Sequence, residues 1–177
     1  EVPEANKSLV NEVFFNMLTD IIFDKEDSDV SFDSEYWGVI FSSCISPFIE
    51  SIRDVNRVVN AFEFKYGLMQ DEINAIDLLA ITTLQVCVPT IFKWIYCNSN
   101  SLTGSVESAG GITGAEQKEN FKKYLEAFKD IYPEDPHVMM NIVQALFPKF
   151  SWRTGGYTYN RDSNDELRYK DRIASAD

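Results

Sequence analysis

The sequence predicts an all-α fold, a bundle of about six helices with a less regular C-terminal arm. Three observations predict it. Apolar residues recur at three- and four-residue spacing along most of the 177 positions, the period of a helix with one buried face. Helix-start signals stand ahead of those runs: Ser34, the Ser51-Ile52-Arg53-Asp54 capping box, and Asp135-Pro136. The composition, 45% hydrophobic with only eight glycines and six prolines, suits one packed core and neither a disordered nor a collagen-like chain. The expected plan is a single helical domain over 1–177, with the bundle in 1–150 and a polar arm in 151–177.

Taken in order, Leu9, Val13, Phe14, Met17, Leu18 and Ile21 predict an amphipathic helix over 6–23, ended by the acidic stretch Asp24 to Asp33. Ser34 caps a second, with Trp37, Ile40, Phe41, Cys44 and Ile45 inward, until Pro47 disfavours helix at Ser46. The third starts at Ile52. Ile52, Val55, Val59, Phe62 and Tyr66 share one face, Arg53, Arg57 and Asn60 cluster on the other, and Gly67 marks a stop. From Glu72 to Cys97 a long apolar stripe predicts the central helix of the core, kinked near Gln85 to Pro89 because proline lacks a donor and clashes with the preceding turn. Gly104 to Gly114 reads as a surface connection. Phe121, Tyr124, Leu125 and Phe128 mark a fifth helix, with Lys122, Lys123, Glu126 and Lys129 on its wet side. A sixth runs from Asp135-Pro136 through Met139, Ile142, Val143 and Leu146 to a stop at Pro148. Beyond Trp152, Tyr157-Thr158-Tyr159 reads as a short strand or extended arm, and Leu167 to Ile173 carries a weak helical pattern.

Several function classes fall away. With 16 Lys+Arg against 28 Asp+Glu the net charge is −12, and the basic residues are scattered, so a phosphate-backbone binder is not expected and no nucleic-acid partner is assigned. Nothing in Glu1 to Asn6 resembles a secretory signal, and three cysteines without a CxxC pair fit a reducing compartment, so a cytoplasmic chain is expected. The longest uncharged run, Leu78 to Phe92, is shorter than the ~20 apolar residues of a membrane span. Walker A spacing is absent, since Gly110-Gly111-Ile112-Thr113-Gly114 is only a glycine-rich loop. Asp27-Ser28-Asp29-Val30-Ser31 opens like a calcium loop, but Phe32 and Gly38 stand where Gly and Glu are needed. His137 is the only histidine, leaving little material for a metal cluster or a Ser-His-Asp arrangement. No catalytic residue, metal site or cofactor is therefore assigned to this chain itself.

One constellation remains. Arg53 and Arg57, one turn apart at a capped helix start, can meet an anion jointly through their donor forks, with Asn60 beside them. By spacing alone a solvated face, paired with Asp54 or Glu63, explains them better.

The segments Ser51-Ile52-Arg53-Asp54-Val55-Asn56-Arg57-Val58-Val59-Asn60, Glu72-Ile73-Asn74-Ala75-Ile76-Asp77-Leu78-Leu79-Ala80 and Val88-Pro89-Thr90-Ile91-Phe92 resemble the KAP family of P-loop NTPases. That family has an R-D-[VIL]-x-R-x-x-N segment before an N-x-x-D helix start. Leu146-Phe147-Pro148 and Arg172-Ile173-Ala174-Ser175 are similar to its later LFP and R-I-x-S segments, and order and spacing agree over most of the chain. The resemblance implies the helical part of a larger P-loop NTPase, C-terminal to a nucleotide-binding core that would bind and hydrolyse ATP with magnesium. It implies that Arg53 is similar to a sensor arginine on a lid helix, supported by Arg57 and Asn60. The implied partner is that upstream core. Family members are often tied to the inner face of a membrane, which the resemblance extends to the parent.

The expected function is thus a regulatory lid or helical-bundle domain, coupling nucleotide state to conformational change and inert by itself. The rival expectation is a non-enzymatic acidic module that binds a basic protein partner.

Overall fold

Residues 6–23, 33–69, 72–156 and 163–175 are described by the computed structural model of the chain, and among them every regular element is helical. The order is α1 (Lys7–Phe23), α2 (Ser34–Ile40), a π-helical turn (Phe41–Ile45), a 3-10 turn (Ser46–Phe48), α3 (Ile52–Met69), α4 (Ala75–Cys87), α5 (Pro89–Leu102), a second 3-10 turn (Glu107–Ala109), α6 (Gly114–Ile131), α7 (Pro136–Leu146), α8 (Pro148–Arg153) and α9 (Asn164–Tyr169). The calcium-like stretch Asp27 to Ser31 and the Tyr157-Thr158-Tyr159 segment lie outside the described residues.

Helix α4 is the centre of the bundle, and its sequence explains why. Ile76, Leu78, Leu79, Ala80, Thr82, Thr83 and Leu84 spread round the cylinder and all are buried. A helix apolar all round needs neighbours all round. It packs against α3, α5, α2 and the π turn, while α1 covers α3, and α6, α7 and α8 form a second layer joined through α7 to the π turn. The two hydroxyls in the middle of α4 are satisfied locally: Thr83 donates to the Leu79 carbonyl at 2.9 Å, and Thr82 accepts from Lys65 Nζ at 3.3 Å.

Prolines shape the joints. The expected kink in a single Glu72–Cys97 helix is a complete break: Val88 leaves helical geometry (φ −136°, ψ 66°) and Pro89 becomes the first residue of a new helix. The residue before proline is pushed towards extended backbone, while proline fits a helix start, where no donor is needed. At Pro47 the outcome differs. The chain stays helical through Ser46, but its hydrogen-bond spacing widens into the π turn before tightening to 3-10 at the proline, which relieves the ring's clash with the carbonyl four residues back. Lys7 Nζ donates to the carbonyls of Ser46 (2.6 Å) and Ile49 (2.8 Å), tying the start of α1 to this irregular exit.

The described chain has nine α-helices because the Glu72–Cys97 run is two and because α8 and α9 follow the six expected. Other departures are local. Asp33, not Ser34, caps α2 by accepting from the Tyr36 amide at 2.9 Å. In α1 the buried stripe is Val10, Phe14, Leu18 and Ile22, rotated from the expected face so that Leu9 is 51% exposed. Helix α3 runs through Gly67 to Met69. Helix α6 begins at Gly114, inside the stretch read as a connection, because Thr113 and Glu116 form a capping box with reciprocal bonds of 2.8 and 3.3 Å.

Candidate functional site

The capping box at the start of α3 forms as its sequence requires. Asp54 Oδ2 accepts from the Ser51 amide (3.1 Å) and hydroxyl (2.7 Å), and the Asp54 amide donates to Ser51 Oγ at 3.2 Å. This fixes the first turn and presents Arg53 to solvent, with Arg57 and Asn60 exposed on the following turns. The three share one side of α3, opposite buried Val55, Val58, Val59 and Phe62.

Their chemistry then diverges. Arg57 Nη2 donates to the Val86 carbonyl at 3.0 Å, and its Nη1 lies 3.8 Å from Asp54 Oδ1. Val86 is in the last turn of α4, where Pro89 ends the ladder and leaves carbonyls without helical partners. A guanidinium there satisfies an orphan acceptor and suits the negative end of the helix dipole. Burial raises the Cys87 thiol's pKa; Asp54 raises it further and Arg57 opposes, which reflects how closely the α3 start meets the α4 end. Arg53, by contrast, makes no side-chain hydrogen bond or ion pair among the described residues. The Arg57–Asp54 pairing expected of a solvated face is present, and Arg53 stays available.

A second polar constellation lies under the surface, and the helical period does not single it out. Asp77, in the first turn of α4, is fully buried, as is almost all of Arg172. Arg172 Nε donates to Asp77 Oδ2 at 2.8 Å, the Ile173 amide donates to the same oxygen at 2.9 Å, and the Tyr36 hydroxyl donates to Oδ1. The guanidinium also lies over the Tyr36 ring, 3.7 Å from its centroid. Burial, then the adjacent carboxylate, holds the Tyr36 phenol well above its ordinary pKa, and the Cys44 thiol beside it is raised for the same two reasons. Both groups stay neutral at ordinary pH. Ninety-five residues separate Asp77 from Arg172, so no local pattern could join them. The only sequence signals are an acid inside an otherwise apolar helix start and an arginine next to Ile173.

Elsewhere, a cleft of about 390 Å³ is lined by Gly114, Gln117, Lys118, Phe121, Lys122, Thr154 and Gly155, on elements other than those that carry Arg53. No group of histidines, cysteines and carboxylates suited to a metal ion occurs among the described residues. His137 is exposed, its ring 6.3 Å from that of Phe121. No helix is long and apolar enough to cross a membrane among the described residues.

Comparison of the chain with protein-family models, with curated proteins and with solved structures finds no match.

Proposed function

We propose that the chain is the regulatory helical lid of a KAP-like P-loop ATPase, taking its nucleotide signal from an upstream core in a longer parent. The observation that carries this reading is the division of labour along α3. One arginine of the stripe, Arg57, ties α3 to the end of α4 at Val86, while Arg53, one turn earlier at a capped helix start, is exposed and makes no side-chain hydrogen bond or ion pair among the described residues. A cation beside a helix N-terminus favours a phosphate oxygen, and hydrolysis changes the charge it faces. A helix anchored through the next turn passes that change to the α4–α5 break.

The residues fit one part of the nucleotide's needs. Arg53 suits contact with a terminal phosphate, with Asn60 in support; in this reading magnesium and the remaining phosphates belong to the parent's core. ATP supplies the bond that is cleaved, and this chain's residues supply only a cation and a movable lid. The test is ATP turnover by the full-length parent carrying Arg53→Ala. Turnover falls by at least about tenfold with circular dichroism unchanged. Wild-type turnover contradicts the reading, and salt-sensitive capture of a basic protein, indifferent to nucleotide, would then favour the acidic interaction module.

A further inference from the structure

We infer that the segment Lys170–Ala174 is a reversible latch on the N-terminal end of α4, independent of whether the parent binds nucleotide. The contacts are concentrated there. The Asn74 amide donates to the Asp171 carbonyl at 2.9 Å and the Asn74 side chain to the Lys170 carbonyl at 3.4 Å, while Asn74 caps α4 through bonds to the Ile76 and Asp77 amides. One residue later the Arg172 guanidinium and the Ile173 amide close on Asp77. The Gly104 amide then donates to the Ala174 carbonyl at 2.7 Å, reaching the far end of α5. Asp171 holds φ at +51°, a left-handed backbone that turns the chain out of α9 and aims Arg172 inward.

The same segment has a small apolar anchorage. Across α9 and the turn that follows, Leu167 and Ala174 are the buried apolar side chains and Ile173 is half-buried; the rest of the hold is polar. A unit whose apolar hold is this small and whose remaining hold is polar opens at lower free energy than the apolar core that it rests on. Opening would expose the Asp77 carboxylate and the Tyr36 hydroxyl and would loosen α2 from α4, because Asp77 bridges both to the latch. Two guanidinium groups thus bracket α4: Arg172 at its start and Arg57 at its end.

The test is native-state hydrogen exchange of the full chain, read amide by amide. In the wild type the amides of Asn74, Gly104, Arg172 and Ile173 exchange as one group, faster than the buried amides of α3 and α7. Arg172→Gln speeds that group by about tenfold or more and leaves α7 unchanged. Tyr36→Phe, which removes a single donor to Asp77, speeds it by a smaller factor and serves if Arg172→Gln does not fold. Exchange of the four amides at the rate of the α3 and α7 core would overturn the inference, as would a uniform acceleration of every helix by Tyr36→Phe.

Discussion

Asp77 is the residue on which the fold is most exposed to a single change. Its oxygens take three donors in the interior, and each compensates part of what it costs to bury a carboxylate. Arg172→Met keeps an apolar stem in place of the arginine's but leaves that carboxylate with two neutral donors. We expect a loss of about 3–5 kcal/mol in denaturant unfolding, because the penalty is the uncompensated charge and not the missing contact. A loss under about 1 kcal/mol would mean that water reaches the acid. At this scale the sequence was informative about one constellation and silent about the other. Arg53, Arg57 and Asn60 share a helical face, so periodicity brings them together. Tyr36, Asp77 and Arg172 meet only through tertiary packing, so each looks ordinary in its own segment.

Elements were legible where the local chemistry is complete. Caps at Ser51 and Asp135, and the apolar stripes of α3 and α7, sufficed to place those helices. The apolar stripe runs on across Val88 while the helical backbone does not, so the pattern reads as one central helix where there are two. Apolar period reports which face is buried, whereas Pro89 decides whether the hydrogen-bond ladder continues. The start of α6 was hidden by neighbouring glycines, although Thr113-Gly114-Ala115-Glu116 carries the capping-box spacing. The start of α4 depends on its own cap, Asn74. Asn74→Ala removes the side-chain acceptor for two orphan amides together with a bond to the latch, and should destabilise the chain by about 1–2 kcal/mol in thermal unfolding. Asn74→Asp, which keeps the acceptor, should recover most of that loss.

For the molecule as a whole, the buried neutral groups predict how stability varies with pH. Folding raises the pKa of both Cys44 and Tyr36, so the native state holds these two protons more tightly than the unfolded chain does. Their stabilising contribution is complete below the ordinary thiol value of about 8.5 and is lost as pH rises past it, and past about 10 for the phenol, towards the raised native values. Melting temperature should therefore fall progressively above about pH 8.5, and Cys44→Ala should flatten the first part of the fall. A melting temperature independent of pH up to 11 would contradict the burial of both groups. Viewed across the bundle, α4 joins the exposed arginine face of α3, through Arg57, to the C-terminal segment, through Asp77 and Arg172. The most direct measurement is ATP turnover by the proposed longer parent, wild type beside Arg53→Ala. The lid reading requires a wild type that hydrolyses ATP and a folded variant slower by about tenfold or more. Equal rates, or a parent that does not hydrolyse ATP, would contradict it.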